Sequence, residues 1–179
     1  MMCLNCHAPI ATHGVSAPEN IELMSEEVQE GIGCDWCHSV SGVDEKSIPS
    51  LKSAPSLIKY GPFENLESPS HGISFNPLFK SSEFCKGCHE YWNKKAGILT
   101  TYSEWKESKY FAEKIQCQEC HMPYVEGELV EPGVKKSLKK INIHAPPGGR
   151  SPEQLRKAAE VKIVSMRKEN GKYIVEVEV

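Results

Sequence analysis

Cys34-Asp35-Trp36-Cys37-His38 has the pattern C-x-x-C-H. The same pattern stands at Cys3-Leu4-Asn5-Cys6-His7, Cys85-Lys86-Gly87-Cys88-His89 and Cys117-Gln118-Glu119-Cys120-His121. All 8 cysteines fall in these four units, and four of the 7 histidines directly follow a second cysteine. Chance does not place them so, and the five-residue unit therefore carries the information rather than C-x-x-C alone. C-x-x-C-H reads as a covalent attachment site for haem c, with two thiols adding across the vinyl groups and the next His ligating the iron. Two rival readings explain less. Pairing Cys3/Cys6 with Cys34/Cys37 and Cys85/Cys88 with Cys117/Cys120 would make two four-thiolate zinc sites, but zinc needs no His beside each pair. A disulfide framework rarely spaces its cysteines by two residues. The expected cofactor is four covalent haem c groups.

That expectation accounts for the composition. The chain has 179 residues, 39% of them hydrophobic, with 13 Gly and 12 Pro. Each haem would receive about 45 residues (179 divided by four), and the porphyrins would supply the apolar volume that a loop-rich chain lacks. A net charge of −3 gives no basis for nucleic-acid binding. No apolar run is long enough to span a membrane. No signal peptide precedes Cys3, so the chain reads as a mature form or one whose start lies upstream.

Three histidines remain: His13, His71 and His144, each in turn-forming sequence. A low-spin electron-transfer haem takes a second axial ligand, usually His or Met, so all three are candidate distal ligands. His13 lies six residues after His7 and is expected to serve a neighbouring haem. Four proximal and three distal histidines fill seven of eight axial positions. The eighth could be taken by Met24, by a His from another chain or from beyond Val179, or by nothing.

First cysteines are spaced by 31, 51 and 32 residues (Cys3 to Cys34, Cys34 to Cys85, Cys85 to Cys117), which suggests two haem pairs. Helices are expected over Glu19–Glu30 after Pro18, from a Ser82 cap through the third motif to about Asn93, over Thr101–Ile115, and over Pro152–Glu160 behind the capping box Ser151-x-x-Gln154. Residues 39–80 read as a wrapping loop. Val161–Met166 and Tyr173–Val179 flank Asn170-Gly171, a hairpin signal. The expected fold class is mainly α with much irregular structure, a haem-packed multihaem cytochrome fold with a short C-terminal β-hairpin. The expected domains are a tetrahaem cytochrome c domain over 1–160 and a hairpin over 161–179 that begins a truncated β-rich region.

"EGIGCDWCHSVSG" (30–42), "YGPFENLESPSHGISFNPLFKSSEFCKGCHEYWN" (60–93) and "TYSEWKESKYFAEKIQCQECHMP" (101–123) resemble multihaem cytochromes of the cytochrome c-554 type, and the similarity spans roughly residues 3–160. The resemblance implies a mostly helical fold with closely stacked haem pairs, and electron transfer outside the cytoplasm. It implies that His71, in an S-P-x-H context, and His144, before Gly148-Gly149, are distal ligands. Relatives can leave one haem without a sixth ligand, and longer ones often continue into a β-rich domain. Related enzymes with more haems act on nitrite or hydroxylamine. This chain has no C-x-x-C-K, so that chemistry is not carried over.

The expected function is electron transfer through four haems, mostly bis-His ligated, rather than catalysis. One alternative is a multihaem oxidoreductase acting on a small nitrogen or sulfur species at an open iron. Another is a subunit of an extracellular cytochrome filament, pairing as a homo-oligomer. Expected partners are redox proteins that donate and accept electrons. The expected location is periplasmic or extracellular.

Overall fold

The computed structural model describes residues 2–12, 26–29, 31–127, 140–145, 148 and 150–179. The positions of His13, Met24 and most of the helix expected over Glu19–Glu30 lie outside these residues. The chain forms two compact units, Met1–Asn142 and Ile143–Val179.

Helices in the first unit are short. They are α1 (Met2–His7), α2 (Glu26–Gln29), α3 (Cys34–His38), α4 (Ser82–His89), α5 (Thr101–Glu107), α6 (Lys109–Ala112) and α7 (Cys117–His121). Strands interleave with them and pair as β1 (Val40–Val43) with β2 (Leu51–Ser53), β3 (Ile58–Gly61) with β4 (Gly72–Phe75), β5 (Tyr91–Asn93) with β6 (Ala96–Leu99), and β7 (Tyr124–Glu126) with β8 (Lys140–Asn142). The second unit holds α8 (Pro152–Ala158) and the strands β9 (Lys162–Glu169) and β10 (Lys172–Glu178).

The fold is therefore not mainly α: the described residues are 35% helix and 29% strand, with ten short strands in two-stranded sheets. Much of the correction falls in residues 39–80, where the expected wrapping loop contains β1 to β4. These strands are three or four residues long, so the alternation in Ile58-Lys59-Tyr60 and Ile73-Ser74-Phe75 is too short to stand out as the signal of a half-buried strand. The pairing of β3 with β4 is parallel, which only a crossover connection allows and no local sequence announces.

Two helices also end earlier than their sequence suggests. Ser81, not Ser82, caps α4, its side chain accepting from the Glu83 N–H at 3.2 Å. The helix stops at His89 because Tyr91–Asn93 is drawn into a hairpin with Ala96–Leu99. The helix expected over Thr101–Ile115 is broken at Ser108, whose extended backbone (ψ 164°) ends α5 and starts α6. Its hydroxyl donates to Trp105 O at 2.7 Å and accepts from Tyr110 N–H at 3.2 Å, serving both ends of the break. Ser and other short polar residues favour such caps over helix interiors.

Few apolar side chains are buried. Among the described residues these are Ala8, Ala11, Trp36, Val40 and Leu51, whereas Trp92, Tyr110, Phe111 and Tyr124 are exposed. Polar side chains hold the elements together instead. Buried Asn76 donates to Val40 O at 3.2 Å and accepts from Leu78 N–H at 3.0 Å, joining β1 to the turn at Pro77–Lys80.

In the second unit, Ser151 caps α8 by accepting from Gln154 N–H at 3.3 Å. Asn170 (φ 51°) and Gly171 (φ 77°) turn the chain between β9 and β10. Tyr173, Val175 and Val177 share one face of β10 by the two-residue period, opposite Lys168, Met166 and Ile163. A register shift between Glu176 and Val177 skips Val164 and keeps these pairs on that face, all of them exposed.

Candidate haem-attachment site

Every C-x-x-C-H unit forms a short helix, and in each the motif His is the last helical residue: His7 in α1, His38 in α3, His89 in α4 and His121 in α7. Helix geometry gives this a consequence. Residues three and four apart lie on one face with Cβ atoms about 5–6 Å apart, so Cys, Cys and His form one stripe and the two intervening residues face away. The intervening residues are the anchors. In α3, Asp35 pairs with Lys59 of β3, and Trp36 enters the core. In α4, Lys86 pairs with Glu45 at 2.7 Å, and Gly87 lies against Leu51, its carbonyl accepting from Ser50 N–H at 3.0 Å. In α7, Gln118 Nε2 donates to Phe79 O at 3.2 Å and Ser81 O at 2.8 Å, while Glu119 accepts from Gln116 N–H at 2.7 Å. Sequence reading treats these residues as spacers. The signal for their role is the helical period of the motif itself.

Two of the other motif helices, α1 and α7, come close to α4. The thiols of Cys88 in α4 and Cys6 in α1 influence one another electrostatically, as do those of Cys85 in α4 and Cys117 in α7. Ser82, fully buried at the start of α4, accepts from Cys117 N–H at 3.0 Å and donates its own N–H to Gln116 Oε1 at 2.9 Å. Cys6 and Cys88 line a cleft of about 490 Å³ together with Ile48, Lys86, Tyr91 and Trp92. That size is in the range of small-molecule cofactor sites.

Electrostatics report the same crowding. Burial, then Cys6, pushes the Cys88 thiol up to about 12. The neighbouring Cys117 thiol and burial raise Cys85, while Cys85 and Ser82 lower Cys117 to about 6 against its own burial. Burial and Cys34 raise Cys37. Partial desolvation, then the charges of His121 and His7, hold His89 below the ordinary imidazole range.

His38 supplies a second line of fit. Its Nδ1 lies 2.6 Å from the Tyr60 carbonyl of β3, which can only accept, so the ring proton sits on Nδ1 and the lone pair on Nε2. A metal-ligating His is ordinarily held this way. His71, directly before β4, has the same arrangement, with Nδ1 3.1 Å from Gly72 O. His7, His89 and His121 are exposed, unlike histidines satisfied inside a core. His144 is exposed in the second unit. His13 lies outside the described residues.

The donor set fits haem c: pairs of free thiols at helical spacing with a His closing each stripe, beside a cleft and little buried apolar surface. Cys3, Cys34 and Cys120 are exposed and the other five thiols half-buried. Among the described residues no group of three or more His, Cys, Asp or Glu is placed to hold a metal ion.

No helix of the described residues is long and apolar enough to cross a membrane. No curated protein and no solved structure matches the chain. The family model described as "Cytochrome c554 and c-prime" matches residues 1–39, a stretch that contains the first two motifs. Over that stretch the chain is similar to a cytochrome c family, whose members carry covalent haem c.

Proposed function

We propose that this chain is an electron-transfer protein holding four c-type haems, one at each C-x-x-C-H helix. The observation that carries the proposal is that all four motifs form short helices, each closed by its own His. Cys3/Cys6, Cys34/Cys37, Cys85/Cys88 and Cys117/Cys120 would hold the four groups, with His7, His38, His89 and His121 as proximal ligands. His71, His144 and His13 are the distal candidates. When bound, the group supplies an iron centre that changes by one electron.

The peptide's part is to position and insulate. The intervening residues hold α3, α4 and α7 to the scaffold, and the Tyr60 carbonyl fixes the tautomer of His38. Attachment of haem c takes place outside the cytoplasm, which makes the periplasm or cell exterior the site of action and soluble or surface redox proteins the partners. Seven histidines leave one of eight axial positions without a His, and that iron is where binding of a small molecule would be sought.

The test is expression with a haem-attachment system, intact mass and low-temperature EPR. The expected result is a mass increment of four haems, lost one at a time when each motif's cysteines are replaced by Ser. A colourless product that retains eight alkylatable thiols would overturn the proposal.

A further inference from the structure

We propose that β10 pairs with β10 of a second copy of this chain, antiparallel and centred on Val175, so that two hairpins join into one four-stranded sheet. β9 and β10 form a two-stranded sheet, so among the described residues β10 has a free edge. The two-residue turn closes on Glu169 and Lys172. By the antiparallel alternation, Lys172, Ile174 and Glu176 then bond to β9, and the main-chain groups of Tyr173, Val175 and Val177 point to the free edge. No other backbone hydrogen bond takes them up among the described residues.

Native sheets protect their open edges with lysines, bulges or proline. β9 has such protection: Lys162, Arg167 and Lys168, and a bulge at Val164. β10 has neither bulge nor proline, and four of its 7 residues are apolar. A lone two-stranded ribbon is marginal in water, whereas three or more strands with a shared apolar face can be stable.

Charge and register select a second copy as the occupant. A two-fold axis through Val175 lays the whole of β10 against itself. Val175 meets the partner's Val175, Tyr173 meets the partner's Val177, and Lys172 meets the partner's Glu178. The edge-facing main-chain groups then face each other. The exposed apolar stripe of Tyr173, Val175 and Val177 stays on one face with Met166 and Ile163 and continues into the partner. On the opposite face, Lys162, Glu178, the partner's Lys172 and the partner's Glu169 line up with alternating sign. Within one chain, neither Lys172 nor Glu178 forms a salt bridge among the described residues. Centring the pair on Glu176 instead would set two carboxylates against each other, which is unfavourable.

The experiment follows the full chain by sedimentation velocity over a range of concentrations. A species of twice the single-chain mass is expected. Val175→Pro removes an N–H that faces the edge and not β9, so the hairpin keeps its ladder and the dimer should be lost. Amide exchange over Lys162–Glu178 reports whether the hairpin has formed. Lys172→Glu and Glu178→Lys should each weaken the dimer about tenfold, because each sets like charges together at two symmetric pairs. An equimolar mixture of these two variants should recover the affinity, since every such pair in the heterodimer is opposite in sign. A chain that stays monomeric with its hairpin formed would overturn the proposal. So would a dimer that Val175→Pro leaves intact, or a mixture no tighter than either variant alone. If Val175→Pro unfolds the hairpin, the mixture decides. The pairing is independent of the haem proposal.

Discussion

Gly87→Ala is the substitution whose sign the structure decides. Gly87 lies inside α4, in the third motif, where Ala would ordinarily gain about 1 kcal/mol in helix propensity. A Cβ at this position would stand 2.4 Å from Leu51 Cγ, 2.7 Å from Cδ1 and 3.0 Å from Cδ2. Leu51 is 6% exposed and belongs to β2, and its Cγ is a branch point near the backbone rather than a free end. The whole side chain must move, and overpacking of this kind costs about 1–3 kcal/mol. The clash therefore outweighs the propensity gain, leaving a net loss of about 1 kcal/mol. For a chain of this size that lowers the melting midpoint by about 2–4 °C.

The double-mutant cycle separates the two contributions. Leu51→Ala by itself should cost about 2–5 kcal/mol. In that background the clash is gone, so Gly87→Ala should stabilise by about 1 kcal/mol, a coupling of about 2 kcal/mol between the two sites. Guanidinium unfolding followed by far-ultraviolet circular dichroism measures all four corners. An additive cycle, or stabilisation by Gly87→Ala in the parent, would refute the placement of Leu51 against the third motif.

Ser82→Ala removes the acceptor of the Cys117 N–H and should cost about 1 kcal/mol by loss of a cap, read as a lower denaturation midpoint, while Ser82→Thr should keep most of it. Asn76→Ala breaks the buried bond to Val40 O and the cap of the Pro77–Lys80 turn, with an expected loss of about 1–3 kcal/mol in the same assay. Gly171→Ala has open space for its Cβ but a φ of 77°, so it should weaken the hairpin by about 1 kcal/mol, seen as faster amide exchange over Lys162–Glu178. Glu90→Gln replaces the carboxylate that accepts from Trp92 Nε1 at 2.6 Å and from Ser103 N–H at 3.0 Å. It should loosen the start of α5 and shift tryptophan fluorescence, and an unchanged spectrum would argue against the contact.

Where sequence and structure coincide, the determinants are local. The Ser-capped helix through the third motif is of this kind, whereas the helices at the first, second and fourth motifs emerge only in the structure. Asn170-Gly171 makes its turn because both residues accept positive φ. Where they part, a distant partner decides. Ser108 splits a helix of good propensity by capping both halves, and the hairpin with Ala96–Leu99 draws Tyr91–Asn93 out of α4. The anchoring roles of Asp35, Gly87 and Gln118 were illegible for the same reason. Each depends on what stands opposite: Lys59, Leu51, and the carbonyls of Phe79 and Ser81.

The amino-acid order alone determined the chemistry this chain can offer, since the thiol and imidazole positions are covalent facts at fixed spacing. It also marked the helix that presents the third pair. The tertiary structure alone decided how much of the chain is strand and which side chains anchor the motif helices. Those outcomes rest on backbone hydrogen bonds and close packing between segments tens of residues apart, and no local pattern of side chains encodes them.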